Sequence, residues 1–177
     1  MKKLSAILLV LCVTFSAVQA DATKIAVVSM KKVLKQSKAV KGINSQIKAK
    51  RDSYQAQIDR KEKQLKSLEK SIVSKKGSMS AAELDKQRKS FIKQLTDTTK
   101  DIQKKRNNLD KGYAKAMSKV QKSIDAIVNK VAKTKGYDLV VPTSQLMYAN
   151  PKYDITATVA ASLNKNLPSV KVSVPSN

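Results

Sequence analysis

Serine precedes lysine by three residues at several positions, among them Ser45 and Lys48, Ser67 and Lys70, Ser90 and Lys93, and Ser162 and Lys165. On a helix this spacing sets both side chains on one face. A lysine held neutral beside a serine can act as its general base, so acyl transfer is the chemistry to weigh first. The chain has no histidine and a single cysteine, Cys12, which rules out a histidine-based triad. With 36 Lys and Arg in 177 residues, however, Ser-x-x-Lys pairs are expected by chance. Three of these named pairs also fall in a segment patterned as exposed helix, not as a pocket. The 13 acids are scattered and mostly sit beside lysines, so they suit neither paired-carboxylate catalysis nor a calcium loop. There is no G-x-x-x-x-G-K-[ST] loop, and the four glycines are dispersed. The sequence therefore predicts a protein that is not an enzyme and uses no cofactor or metal.

What the chain does supply is charge. Its formal net charge is +23 and its pI is about 10.1, which makes it a polyelectrolyte that attracts anions. Apolar residues make up 41% but aromatics only 4%, with no Trp. Val, Ile, Leu and Ala suit thin helical seams better than a thick aromatic core. Residues 1–20 have the layout of a cleaved secretory signal peptide: Lys2 and Lys3, an uncharged run from Leu4 to Val18, then small residues in Val18-Gln19-Ala20. The run is shorter than the ~20 residues of a spanning helix. Leu11 before Cys12 does not fit a lipidation site. Cleavage after Ala20 would leave no thiol, so packing or oligomerisation must hold the mature protein together.

The elements follow from period and punctuation. Residues 21–36 hold a buried strand, Lys24-Ile25-Ala26-Val27-Val28, and a short helix capped by Ser29. Residues 37–135 contain no proline and are patterned as two long antiparallel helices. Val40, Ile47, Tyr54 and Leu68 fall on one heptad position of the first, and Ile58, Leu65 and Ile72 on the other. Asn44, Arg51 and Lys61 interrupt that seam and would loosen it. Leu84, Phe91 and Thr98 alternate with Leu95, Ile102 and Leu109 in the second helix. After a stutter, Tyr113, Val120 and Ile127 alternate with Met117, Ile124 and Val131. Gly77 is placed to end the first helix in a left-handed conformation, and Ser80-Ala81-Ala82-Glu83 forms a capping box for the second. Asp59–Lys63, Glu62–Lys66, Asp85–Lys89 and Asp101–Lys105 are favourable i,i+4 pairs. Residues 136–166 begin with Gly136 as a helix stop, followed by strands at 137–141 and 145–148 and a helix from Ile155 capped by Asp154. Residues 167–177 are expected to be a flexible tail. The hairpin brings the distant strands into one small three-stranded sheet. Its open edges make it marginal alone and imply an oligomer.

The opening Lys24-Ile25-Ala26-Val27-Val28-Ser29-Met30 resembles the first strand of the Skp/OmpH family of periplasmic chaperones. Tyr137-Asp138-Leu139-Val140-Val141, Met147-Tyr148-Ala149 and Asp154-Ile155-Thr156 resemble that family's closing segment. The resemblance implies an α+β fold: a β-barrel body built by a homotrimer, with three helical tentacles around a cavity. It implies an ATP-independent periplasmic holdase that captures unfolded outer-membrane proteins. No individual contact is carried over from the family. Candidate client contacts are Tyr54, Lys61, Lys75, Lys76, Met79 and Arg88. Candidate oligomer contacts are Ile25, Val27, Leu139, Val141 and Met147.

Residues 37–135 carry 27 Lys or Arg against 10 Asp or Glu, so the arm holds most of the charge that would draw acidic clients. The same charge suits rival partners. Lys104-Lys105-Arg106 would bind nucleic acid phosphates, although the signal peptide and the sparse stacking aromatics make that binding incidental. Anionic lipid or lipopolysaccharide is the other rival.

Overall fold

The computed structural model describes residues 22–175. The expected signal peptide and cleavage site lie outside the described residues. The chain runs β1 (Ile25–Val28), α1 (Met30–Gln36), α2 (Lys38–Lys75), α3 (Ala81–Lys135), β2 (Leu139–Pro142) and α4 (Thr156–Asn166). Short 3-10 turns lie at Thr143–Gln145 and Pro151–Tyr153.

Side-chain caps set most of the helix starts. Ser29 Oγ accepts from the Lys32 N–H, Ser37 Oγ from the Val40 N–H, and Ser80 Oγ from the Glu83 N–H. Each satisfies a donor that the first helical turn leaves without a backbone partner. α2 and α3 then pack antiparallel. At ~1.5 Å per residue, their 38 and 55 residues span about 57 and 82 Å. A sheet of two four-residue strands cannot accompany them, so the arm projects from a small body.

The hairpin is a crossover connection, and β1 and β2 accordingly pair in parallel. Ile25, Ala26, Val27 and Val28 register with Leu139, Val140, Val141 and Pro142. The Lys24 N–H donates to Asp138 Oδ2 (2.7 Å) and the Asp138 N–H returns to the Lys24 carbonyl (2.8 Å). The expected third strand at 145–148 does not form in the single chain. The free edge of β1 is taken by a bridge from Val27 to Asp154, and the Ile155 N–H donates to the Val27 carbonyl. Leu146, Met147 and Tyr148 therefore have no ladder to join, and all three are exposed.

α4 closes the body. The Ser29 N–H donates to Thr156 Oγ1, and the Thr156 hydroxyl and N–H donate to Asp154. These donors hold the Asp154 carboxyl below its ordinary range. Asn164 clamps the α1–α2 junction: its Oδ1 accepts from the Lys38 N–H and its Nδ2 donates to the Gln36 carbonyl. The core beneath joins Val28, Val33, Ile43, Val120, Ile124 and Leu163, contributed by five elements.

Three sequence expectations are corrected. Gly77 is not left-handed: Gly136, at φ 66°, is the one positive-φ residue among those described. The α2 end needs no αL residue, because Lys76 at its C-cap is right-handed and its N–H reaches the Val73 carbonyl. Gly136→Ala is therefore expected to cost about 1 kcal/mol. Gly77→Ala, with no atom within 4 Å of the added Cβ, should stay within about 0.5 kcal/mol. Thermal melting of the two variants checks this.

Second, Leu95 and Tyr113 are exposed instead of buried in the seam, and Asn44 and Arg51 are exposed at the margin of the α2–α3 contact. Gly112 and Ala116 are buried in place of Tyr113. Third, residues 168–175 are not loose. Val170 is 5% exposed and joins the core, Val174 packs on Gly112, and Asn108 Nδ2 donates to the Pro175 carbonyl (3.2 Å). The missing side chain at Gly112 leaves room on α3, and the tail fills it.

Candidate functional site

The arm carries three distinct surfaces. The first is a polar node midway along it. Lys105 on α3 is almost covered, with its side chain 8% exposed, and its Nζ lies 2.6 Å from Asp101 Oδ1 one turn before it. Lys61 on α2 reaches the other oxygen, Asp101 Oδ2, at 2.7 Å. Both lysines donate to the carboxylate and hold its pKa down to about 2. Lys105 and Lys50 also lie over the Tyr54 ring, 5.4 and 5.5 Å from its centre. Lys61 therefore does not break the seam; it bridges it. Tyr54 and Lys61, both expected to meet a client, are occupied within the arm.

The second surface is a cleft between α2 and α3 nearer the body. Two adjoining hollows of about 460 and 320 Å³ share Arg51, Leu109 and Asp110. Their walls mix Ile47, Ile58 and Ile102 with Lys48 and Arg106. Exposed Tyr113 stands at the rim. Here apolar surface is framed by cations.

The third surface is near the tip. Ile72, Val73, Phe91 and Ile92 line a shallow hollow of about 200 Å³ with Glu69 and Arg88 at its border. Val73 is 69% exposed and Ile92 61%. Leu95 continues the patch one turn further along α3 and is also exposed. Of the expected contacts, Arg88 belongs to this patch. Lys75 and Lys76 are exposed at the turn beyond it, and Met79 is half-buried. Heptad assignment passes over Val73 and Ile92 because it keeps one residue of each apolar doublet. Ile72-Val73 and Phe91-Ile92 are the available signal: adjacent helical residues point ~100° apart, so one of each pair must leave the seam.

The body presents its own apolar surface. Ile25 and Leu139 are register partners on adjacent strands, and both are exposed. Met147 is fully exposed, while Val141 is half-buried. Val27 is already covered within the single chain. Ser45, Ser67, Ser90 and Ser162, each three residues before a lysine, are not gathered: the first three are exposed on α2 and α3, and Ser162 lies half-buried on α4. Among the described residues, no helix is long and apolar enough to cross a membrane, and no three His, Cys, Asp or Glu cluster.

A small α+β body with a long basic helical hairpin and uncovered apolar residues at both ends defines a projecting-arm protein. The chain belongs to the OmpH-like family: the model described as "Outer membrane protein (OmpH-like)" matches residues 24–163. It is 30% identical over 141 residues to an uncharacterised protein of Aquifex aeolicus (strain VF5), covering 79% of this chain and 85% of that one. The fold is similar to the crystal structure of an OmpH-like protein of Caulobacter crescentus CB15, named as a candidate outer membrane chaperone. The TM-score is 0.82 at 17% identity, covering 88% of this chain and 92% of the other.

Proposed function

We propose that this protein is an ATP-independent holdase chaperone of the periplasm, which captures unfolded outer-membrane β-barrel proteins and keeps them from aggregating before insertion. The observation that carries this reading is the pairing of an uncovered apolar patch near the tip with a strongly basic arm. An unfolded barrel strand exposes alternating apolar residues that water does not tolerate. Long-range attraction by the lysines gathers an acidic client. Short-range burial against Val73, Ile92 and Leu95 then retains it without any single tight site. Chemistry and nucleotide have no part in the cycle.

Exposed Ile25, Leu139, Met147 and Tyr148 favour a body that pairs with copies of itself. A parallel two-stranded sheet is marginal alone. Subunits meeting along the open edge of β2 would cover these residues and set several arms around one cavity. The homotrimer of the family is the assembly we assign. Several arms also raise avidity. The charge alone favours a second reading, a polycation that binds lipopolysaccharide, anionic lipid or nucleic acid.

Light scattering separates the two. A urea-unfolded outer-membrane barrel protein is diluted into buffer with residues 21–177 at low and high salt. Suppression near one client per three chains, kept in part at high salt, is the expected result. Loss of all activity with salt would favour the polycation reading, because only charge pairing is screened so fully.

A further inference from the structure

The segment after α4 lies outside the residues that the family model matches, and its sequence alternates: Val170-Lys171-Val172-Ser173-Val174. Its burial alternates in step. Val170 is buried, Val172 and Val174 are half-buried, and Lys171, Ser173 and Pro175 are exposed. A period of two is the mark of an extended chain with one face down. It is also the pattern of a barrel strand.

The groove beneath holds this segment largely through its backbone. Gln46 on α2 uses one amide for two bonds: Nε2 donates to the Val170 carbonyl (2.9 Å), and Oε1 accepts from the Val172 N–H (3.0 Å). A residue of a parallel neighbouring strand offers that same donor and acceptor to positions i and i+2. Across the groove, Asn108 donates to the Pro175 carbonyl. Gly112 lets the segment close in: a Cβ there would stand 3.1 Å from the Ser173 carbonyl oxygen and 3.1 Å from Val174 Cγ2. Backbone hydrogen bonds at one edge do not depend on side-chain identity, and the apolar contact below asks only for apolar side chains at alternate positions. Between the tail and α2 a cleft of about 510 Å³ remains open, lined by Ala49 and Lys50 with tail residues 171–174.

We infer that the groove formed by Gln46, Asn108 and Gly112 is a binding site for an extended peptide with alternating apolar residues, and that the tail occupies it in cis as a stand-in. A strand segment of an unfolded barrel protein displaces the tail and takes over its bonds to Gln46. The inference rests on the holdase reading only for the source of the displacing segment. The site lies at the body end of the arm, so a client is gripped at both ends of the hairpin.

The test uses the full chain and a fluorescein-labelled peptide with the sequence of residues 168–175. Val170→Asp with Val174→Asp frees the tail and leaves the groove intact. This variant should bind the peptide at least tenfold more tightly than the unaltered chain. Adding Gly112→Leu fills the groove and should abolish the gain. A peptide of the same composition in scrambled, non-alternating order should bind neither. Circular dichroism reports whether the variants keep their helices. Val174→Asp alone, at a half-buried position, provides a milder release with a smaller rise in the same direction. Equal peptide binding by the folded released variants and the unaltered chain would overturn the inference and leave the tail as a structural strap. Equal binding of the scrambled peptide would overturn it too. Failure of the unaltered chain to hold an unfolded barrel protein is a separate result, which sinks the holdase reading while the peptide data still decide the groove.

Discussion

Replacing both Val73 and Ile92 by aspartate should leave the hairpin folded and raise the concentration needed to hold an unfolded barrel protein about tenfold. Both side chains are mostly exposed, so the arm loses little packing. Full burial of a Val or Ile side chain contributes roughly 1.5–3 kcal/mol. Here about a third of each is already covered, and a shifting client covers only part of the rest. A combined loss of about 1.4 kcal/mol per arm follows, which is tenfold. Aspartate also lowers the arm's positive charge, so lysine at both positions is the necessary control. If apolar contact holds the client, both pairs of substitutions lose activity alike. If attraction alone holds it, the lysine pair keeps full activity and the patch is incidental.

The second large effect is on stability. Asp101→Ala leaves Lys105 covered and without its carboxylate. Breaking a buried ion pair from one side costs about 3–5 kcal/mol. Lys61 is 44% exposed and can turn to solvent, so we expect the low end, about 3 kcal/mol. For a chain of this size that lowers the melting temperature by roughly 6–12 °C. Lys105→Met in the same background should restore most of the loss, since it removes the stranded charge and keeps the volume.

The pH dependence follows from the same node. Asp101 titrates at about 2 in the folded chain against an ordinary 3.8. Its stabilisation is therefore complete above the unfolded value and drains away as pH falls from about 4 to about 2. Asp154 is also depressed and titrates at low pH too. The difference in unfolding free energy between the unaltered chain and Asp101→Ala isolates the node. That difference should shrink as pH falls from 4 to 2. A difference independent of pH would mean that the carboxylate is not what Lys105 needs.

The elements carried by local chemistry were open to inference from sequence. Ser29, Ser80 and Gly136 mark helix ends through bonds to neighbours a few residues away, and the structure places those ends where they were expected. The hairpin follows from period alone. What escaped depends on partners distant in the chain. Gln145–Tyr148 has the composition of a strand, but a strand is made by the ladder it joins, and Asp154 and Ile155 occupy the free edge of β1. The tail reads as loose because Pro168 and Pro175 punctuate it. Its partners Gln46, Asn108 and Gly112 leave no periodic trace. Tyr54 and Lys61 have the residue types of client contacts; no rule of sequence reveals that Lys105 lies over the Tyr54 ring and that Asp101 pairs with Lys61. The tip patch was within reach, because two apolar doublets cannot both fit a single seam.

The parallel pairing of β1 with β2 also dictates an order of events. Lys24 and Asp138 are joined across a separation of 114 residues. Closing so long a loop from an unstructured chain carries an entropic cost. The α2–α3 hairpin removes much of it, since zipping from the turn at Gly77 draws Ile43 and Val120 into one cluster through local steps. Helix contacts of this kind form quickly, whereas distant strand pairing is slow. The arm therefore folds before the body that carries it. During synthesis β1 emerges first and waits, unpaired, until more than a hundred further residues have followed. A variant that slows hairpin zipping should delay the body in proportion, and one confined to β2 should leave the rate of arm formation untouched.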